Sequence, residues 1–105
     1  MDLAKQHLDI GLYTNQREAQ LAFWQERIGL EFEHVGKLGG GVHQLRHHMN
    51  GSILKINHAR GPLPSLAPSG YRRLLIARPG LDAVQSLSDP DGNRVDLVPP
   101  GHQGI

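Results

Sequence analysis

Only one stretch of this chain carries apolar residues at helical spacing, and it is short. Between Ala19 and Ile28, the residues Ala19, Ala22 and Phe23 form one stripe, which Leu21, Trp24 and Ile28 widen. Asn15 and Glu18 stand where a reciprocal N-terminal cap would put them, and Gly29 stands where a left-handed C-terminal cap is wanted. The rest of the chain is cut too finely for helices: 13 glycines and 7 prolines in 105 residues leave pieces of strand length.

The first of those pieces, residues 8–14, alternates. Ile10 and Leu12 point one way; Asp9, Gly11 and Tyr13 point the other. Leu30 to Gly36 reads as a second strand anchored on Phe32, and Lys37 to Gly41 as a flexible connection. Val42 to Met49 is a third strand, Asn50-Gly51 a hairpin turn, and Ser52 to His58 a fourth strand. Leu54 and Ile56 make its apolar face; Ile53, Lys55 and Asn57 look the other way. The order so far is strand, helix, strand, strand, strand.

Residues 61–70 are too proline-rich for a regular element and read as a linker. Tyr71 to Arg78 reads as a fifth strand, Leu81 to Leu87 is ambiguous, Asp89 to Asn93 is a tight turn, and Arg94 to Val98 is a last strand before a tail over 99–105. No helix of useful length fits this second half. A weak internal repeat aligns Gly51–Ile56 with Gly92–Leu97. It sets Lys55 opposite Asp96, and Asp9 roughly opposite Arg73.

Composition removes several functions. Eleven basic against 10 acidic side chains give a net charge of +1 and no basic stripe, so no nucleic-acid partner is expected. The absence of cysteine excludes disulfides, thiolate zinc sites and a cysteine nucleophile. No apolar run approaches the ~20 residues of a membrane span. Met1 to His7 lacks the apolar stretch of a signal peptide, so a cytoplasmic location is expected. Seven histidines raise the question of a metal. His43 and His47 share a strand face but lie four residues apart, too far for easy chelation, and His48 points the other way. They read as polar residues on an open face or near an edge.

The run Ile10-Gly11-Leu12-Tyr13-Thr14, with Ala19, Ala22-Phe23-Trp24 and Ile28-Gly29-Leu30 after it, resembles the opening of the vicinal oxygen chelate superfamily. That group includes glyoxalase I, bleomycin-resistance proteins and extradiol dioxygenases. The closing run from Asp89 to Val98 is the more specific signature. The resemblance implies an α+β fold in a single domain over 1–105. It would hold one βαβββ module over 8–60 and an abbreviated second module over 71–98 without its helix, their sheets curling into an open cup. The helix would cover Ile10, Leu12, Leu54 and Ile56. Asp9, Tyr13, Lys55, Asn57 and Asp96 would face the cup, joined by Arg46 if Leu45 takes the core side.

Metal enzymes of this superfamily place ligands at four matching strand positions. Here those positions hold Asp9, Lys55, Arg73 (or Arg72 in a slipped register) and Asp96. Two cations stand where two ligands would, and neither has a lone pair to offer in its charged form. The resemblance therefore implies a metal-free site for a small polar or anionic organic molecule, in which Lys55 and Arg73 supply the positive charge. The alternative is a metal-dependent lyase, isomerase or dioxygenase whose one divalent ion is held by His7, Asp9 and Asp96. A further reading makes Lys55 the base of a metal-free acid–base enzyme. Leu74, Leu75, Ile76, Val95, Leu97 and Val98 are apolar on both sides of the second sheet, and no helix remains to cover them. A homodimer is expected to cover that face, unless the chain belongs to a longer protein that does so.

Overall fold

A computed structural model describes residues 5–64 and 71–102. The chain divides into two compact units, Met1–Ser65 and Leu66–Ile105. Residues 65–70 of the proline-rich stretch and 103–105 of the tail lie outside the described residues.

The first unit runs β1 (Asp9–Thr14), α1 (Arg17–Leu21), β2 (Glu31–Gly39), β3 (Val42–Met49) and β4 (Ser52–Ala59). Helix α1 continues over Ala22–Ile28 with the wider turns of a π-helix. It ends where a left-handed residue was expected: Gly29 has φ 91°, and the N–H groups of Gly29 and Leu30 both donate to the Trp24 carbonyl, at 3.0 and 2.9 Å. Its start differs from the expected capping box. Asn15 instead donates its side-chain amide to the carbonyls of Ala59 and Gly61, both at 2.8 Å, and so ties the helix start to the end of β4. The Thr14 hydroxyl accepts from the Gln16 N–H in its place. The buried line of the helix is also shifted. Gln20, Trp24 and Ile28 are buried, while Ala19 and Ala22 are exposed. The bulk of Trp24 governs which side turns inward, and its indole Nε1 donates to Gln20 Oε1 at 2.8 Å, so the buried amide has a partner.

The four strands form one sheet in the order β1-β4-β3-β2, with β1 parallel to β4 and the other pairs antiparallel. Register puts Ile10, Leu12, Leu54, Ile56, Leu45 and His47 on one face. Leu45, Leu54, Ile56, Trp24 and Ile28 make the core of this unit. The helix lies on this face, since Gln25 bonds His47 across it. His47 is therefore not a residue of an open face: it is fully buried, with the Phe32 ring edge-on at 5.5 Å.

Asn50 and Gly51, with φ 48° and 88°, form the expected hairpin turn. The glycine run behaves otherwise. Strand β2 continues to Gly39, and only Gly40-Gly41, with φ 61° and 78°, turn the chain. Register shifts between Phe32 and His34 and between Lys37 and Gly39 let β2 follow β3 that far.

The second unit has β5 (Leu74–Ala77), β6 (Gln85–Ser88) and β7 (Arg94–Val98) in the order β5-β7-β6. Strand β5 is parallel and β6 antiparallel to β7. This is the β1-β4-β3 arrangement again, with no helix and no counterpart of β2 among the described residues. Strand β5 is shorter than the sequence suggests, and Tyr71 lies outside it, fully exposed. The turn before β7 is built on Asp89, whose Oδ1 accepts from the N–H groups of Asp91 (3.0 Å) and Asn93 (2.7 Å).

On this sheet Val95, Leu97 and Val98 are buried, and Leu74, Leu75 and Ile76 are half-buried. The exposed large apolar residues include Phe32, Val35 and Leu38, all on the edge strand β2.

Candidate functional site

The face of the first sheet opposite the helix is polar. Alternation along β1 and β4 puts Asp9, Tyr13, Lys55 and Asn57 there, and the β3–β4 register adds Gln44 and Arg46, which pair with Asn57 and Lys55. Lys55 pairs with Gly11 and reaches diagonally back to Asp9, its Nζ 2.9 Å from Asp9 Oδ2. Lys5 takes the other oxygen, Oδ1. The hydrogen bond from Lys5, and then that from Lys55, hold the Asp9 carboxyl down at about 2. Gln44 donates to Asn57 Oδ1 at 3.0 Å, and Arg46 Nη1 to Gln44 Oε1 at 3.4 Å. Tyr13 is more than half exposed beside them.

Glu33 joins this face and was missed by the sequence reading. Its carboxylate lies 3.5 Å from Arg46 Nε, 2.9 Å from His34 Nδ1 and 3.6 Å from His48 Nδ1. Alternation from Phe32 would have pointed to it; the register shift that follows Phe32 fixes it beside Arg46.

Arg73 and Asp96 meet in the second unit. Arg73 Nη1 donates to Asp96 Oδ2 at 2.7 Å, and Arg94 Nε lies 3.3 Å from Oδ1. Asp96 is only 1% exposed. Burial pushes its carboxyl up, but hydrogen bonds from Ser86 and Arg94, with the charges of Arg94 and Arg73, bring it below its ordinary value. The geometry repeats that of the first sheet. Asp96 pairs with Leu75, two residues after Arg73, as Lys55 pairs with Gly11, two residues after Asp9. Both sheets carry the same diagonal ion pair, with its sign exchanged.

Each oxygen of Asp9 and of Asp96 faces a cation. The His7 ring packs over the hairpin glycine, so close that a Cβ at Gly51 would lie 2.9 Å from it. Among the described residues, no three His, Asp or Glu side chains are grouped to hold a metal, and no helix is long and apolar enough to cross a membrane.

No family model and no curated protein matches the sequence. Solved structures do match it. Glyoxalase I of Leishmania major superposes with a TM-score of 0.74 at 14% identity, over 91% of this chain and 87% of that one. The antibiotic-binding protein TnmS3 of Streptomyces sp. CB03234 gives 0.68 at 20% identity, over 94% and 99%. A glyoxalase/bleomycin-resistance protein of the same Streptomyces gives 0.62 at 19%, over 88% and 98%. At these identities the likeness is one of fold.

Proposed function

We propose that this chain, whose fold is that of the vicinal oxygen chelate superfamily, binds a small polar organic molecule on the strand face carrying Asp9, Tyr13, Arg46, Lys55 and Asn57, without a metal ion. The observation that carries the reading is the pair of internal salt bridges, Lys55–Asp9 at 2.9 Å and Arg73–Asp96 at 2.7 Å, on the residues that the sequence resemblance sets at the superfamily's ligand positions. An ammonium and a guanidinium offer no lone pair to a metal and repel it. That one structural neighbour is an antibiotic-binding protein supports binding as a use of this fold. The fold alone supports no particular activity, because function belongs to the site built on it.

Elemental analysis after dialysis against a chelator, then after re-exposure to Zn²⁺, Ni²⁺, Mn²⁺ or Fe²⁺, tests the metal-free reading. Far less than one ion per chain is expected in every case; a stoichiometric ion on return of any metal would overturn it.

In the same reading the chain pairs with a second copy. The uncovered apolar surface is on β2, where Phe32, Val35 and Leu38 lie on a nine-residue edge strand. Light scattering at micromolar concentration is expected to give twice the 11.6 kDa chain mass. A monomer at that concentration would rule the pairing out.

A further inference from the structure

Arg46, Gln44 and Asn57 form a line of hydrogen bonds across β3 and β4, and its direction is set at one end. A guanidinium can only donate, so the Gln44 oxygen faces Arg46 and the Gln44 amide nitrogen faces Asn57. Asn57 Oδ1 accepts from that nitrogen at 3.0 Å, which leaves the Asn57 nitrogen at the far end. The line therefore ends on a donor, and no described residue accepts from it. Asn57 is only 5% exposed, but its Nδ2 is not sealed in: among the described side chains, the Nε of Arg46 is the one nitrogen or oxygen atom both closed off and without a hydrogen bond.

Nδ2 opens onto the space above Gly11. A side chain at that position would stand on the polar face between Asp9 and Tyr13, and its Cβ would lie 3.4 Å from Asn57 Nδ2, with nothing else within 4 Å beyond the adjoining residues. The φ of Gly11 is not in the left-handed region, so the backbone does not call for glycine there. A glycine inside a strand without a conformational reason marks a place where another group comes close. The cation at the head of the line polarises the amides that follow it, which strengthens the last donor.

We infer that this niche seats a carbonyl-type oxygen of the bound molecule, whether of a ketone, an amide or a carboxylate, which rests over Gly11 and accepts from Asn57 Nδ2. The inference rests on the small-molecule reading above and adds the group recognised. Tyr13, paired in register with Asn57 and exposed on the same face, offers a ring surface to the apolar part of such a molecule.

The Asn57 side-chain amide gives its own pair of signals in a ¹H–¹⁵N spectrum, so the docking atom is directly observable. Acetophenone carries a neutral carbonyl and benzoate an anionic one; ethylbenzene keeps the outline of acetophenone and has no acceptor. Acetophenone or benzoate should shift the Asn57 pair saturably, and the tighter of the two tells a neutral source of the oxygen from a charged one. Ethylbenzene should bind about tenfold more weakly, the scale of one lost hydrogen bond. Gly11→Ala, whose methyl fills the niche and leaves Asn57 in place, should weaken the tighter probe by a similar factor. Asn57→Asp, which still accepts from Gln44 but loses the donor, should do the same, and agreement between the two variants guards against misfolding in either. Binding that Gly11→Ala leaves unchanged, or ethylbenzene binding as well as the other probes, would overturn the niche and leave the small-molecule reading standing. No saturable shift on this face with any of the three compounds would overturn both.

Discussion

Trp24→Ala should cost about 3–5 kcal/mol of stability, the range for removing a buried aromatic. The indole is 1% exposed, meets the Phe23 ring edge-on at 5.1 Å, and lies among the largest buried side chains of the first unit. Its removal opens a cavity beneath a short helix. It also removes the Nε1–H that donates to the fully buried Gln20 carbonyl at 2.8 Å. The lost hydrogen bond adds about 0.5–1.5 kcal/mol of its own. Set against a total of about 5–15 kcal/mol for a native protein, the change removes a large share of the folding free energy. Urea unfolding followed by circular dichroism measures it; this is the chain's only tryptophan, so fluorescence is lost with it. Trp24→Phe keeps a ring and loses the donor, and the difference between the two variants separates packing from the hydrogen bond. A loss below about 1 kcal/mol in the alanine variant would contradict the central place given to this side chain.

Acid should weaken the first unit through His47. The ring is fully buried, its Nδ1 donates to the Leu45 carbonyl at 3.1 Å, and its Nε2 accepts from Gln25 Nε2 at 3.0 Å. A neutral imidazole satisfies both contacts; a protonated one would turn a second N–H toward an amide that is already donating. Burial lowers the pKa of His47, against the smaller raising effect of backbone bonds at Leu45 and Leu54. The sign follows from linkage. With the folded value below the unfolded 6.5, the unfolded chain takes the proton first. Stability is complete above 6.5 and falls as the pH drops below it, toward the lowered folded value. His47→Leu should cost about 1–3 kcal/mol at pH 7.5, because Gln25 and the Leu45 carbonyl each lose a hydrogen bond. The deficit should shrink by pH 5, where the wild type has weakened and the variant has not. A deficit that stays constant across that range would show that His47 is not the group responsible.

Strands β3 and β7 end where the sequence reading ended them, because each is bounded by strong turn signals: Asn50-Gly51 after one, Asp91-Gly92 and Pro99-Pro100 around the other. Alternation also assigned Asp9, Tyr13, Lys55 and Asn57 to one face and Leu54 and Ile56 to the other. What it could not assign was partnership. Asn15 has the chemistry of a cap, but two carbonyls more than 40 residues away bond it instead. His47 was legible as a residue of the Leu45 face, yet its burial depends on Gln25, brought over by the helix. Strand β6, Gln85–Ser88, carries mostly polar side chains on an edge and had no apolar rhythm to betray it. Glycine at three successive positions looked like a loop, while β3 offered a ladder that β2 could follow as far as Gly39. Local signals set the turns and faces; long-range competition for hydrogen bonds set the rest.

The diagonal ion pair that both sheets share, with opposite sign, also sets the two parallel pairings β1–β4 and β5–β7 apart in charge. Were β1 to settle on β7 in the equivalent register, Asp9 would lie across from Asp96; were β5 to settle on β4, Arg73 would lie across from Lys55. Each mistaken pairing brings like charges together where the native one brings opposites, and like charges facing across a sheet are destabilising. A repeat in which both halves kept the same polarity would have no such safeguard against swapping its own strands.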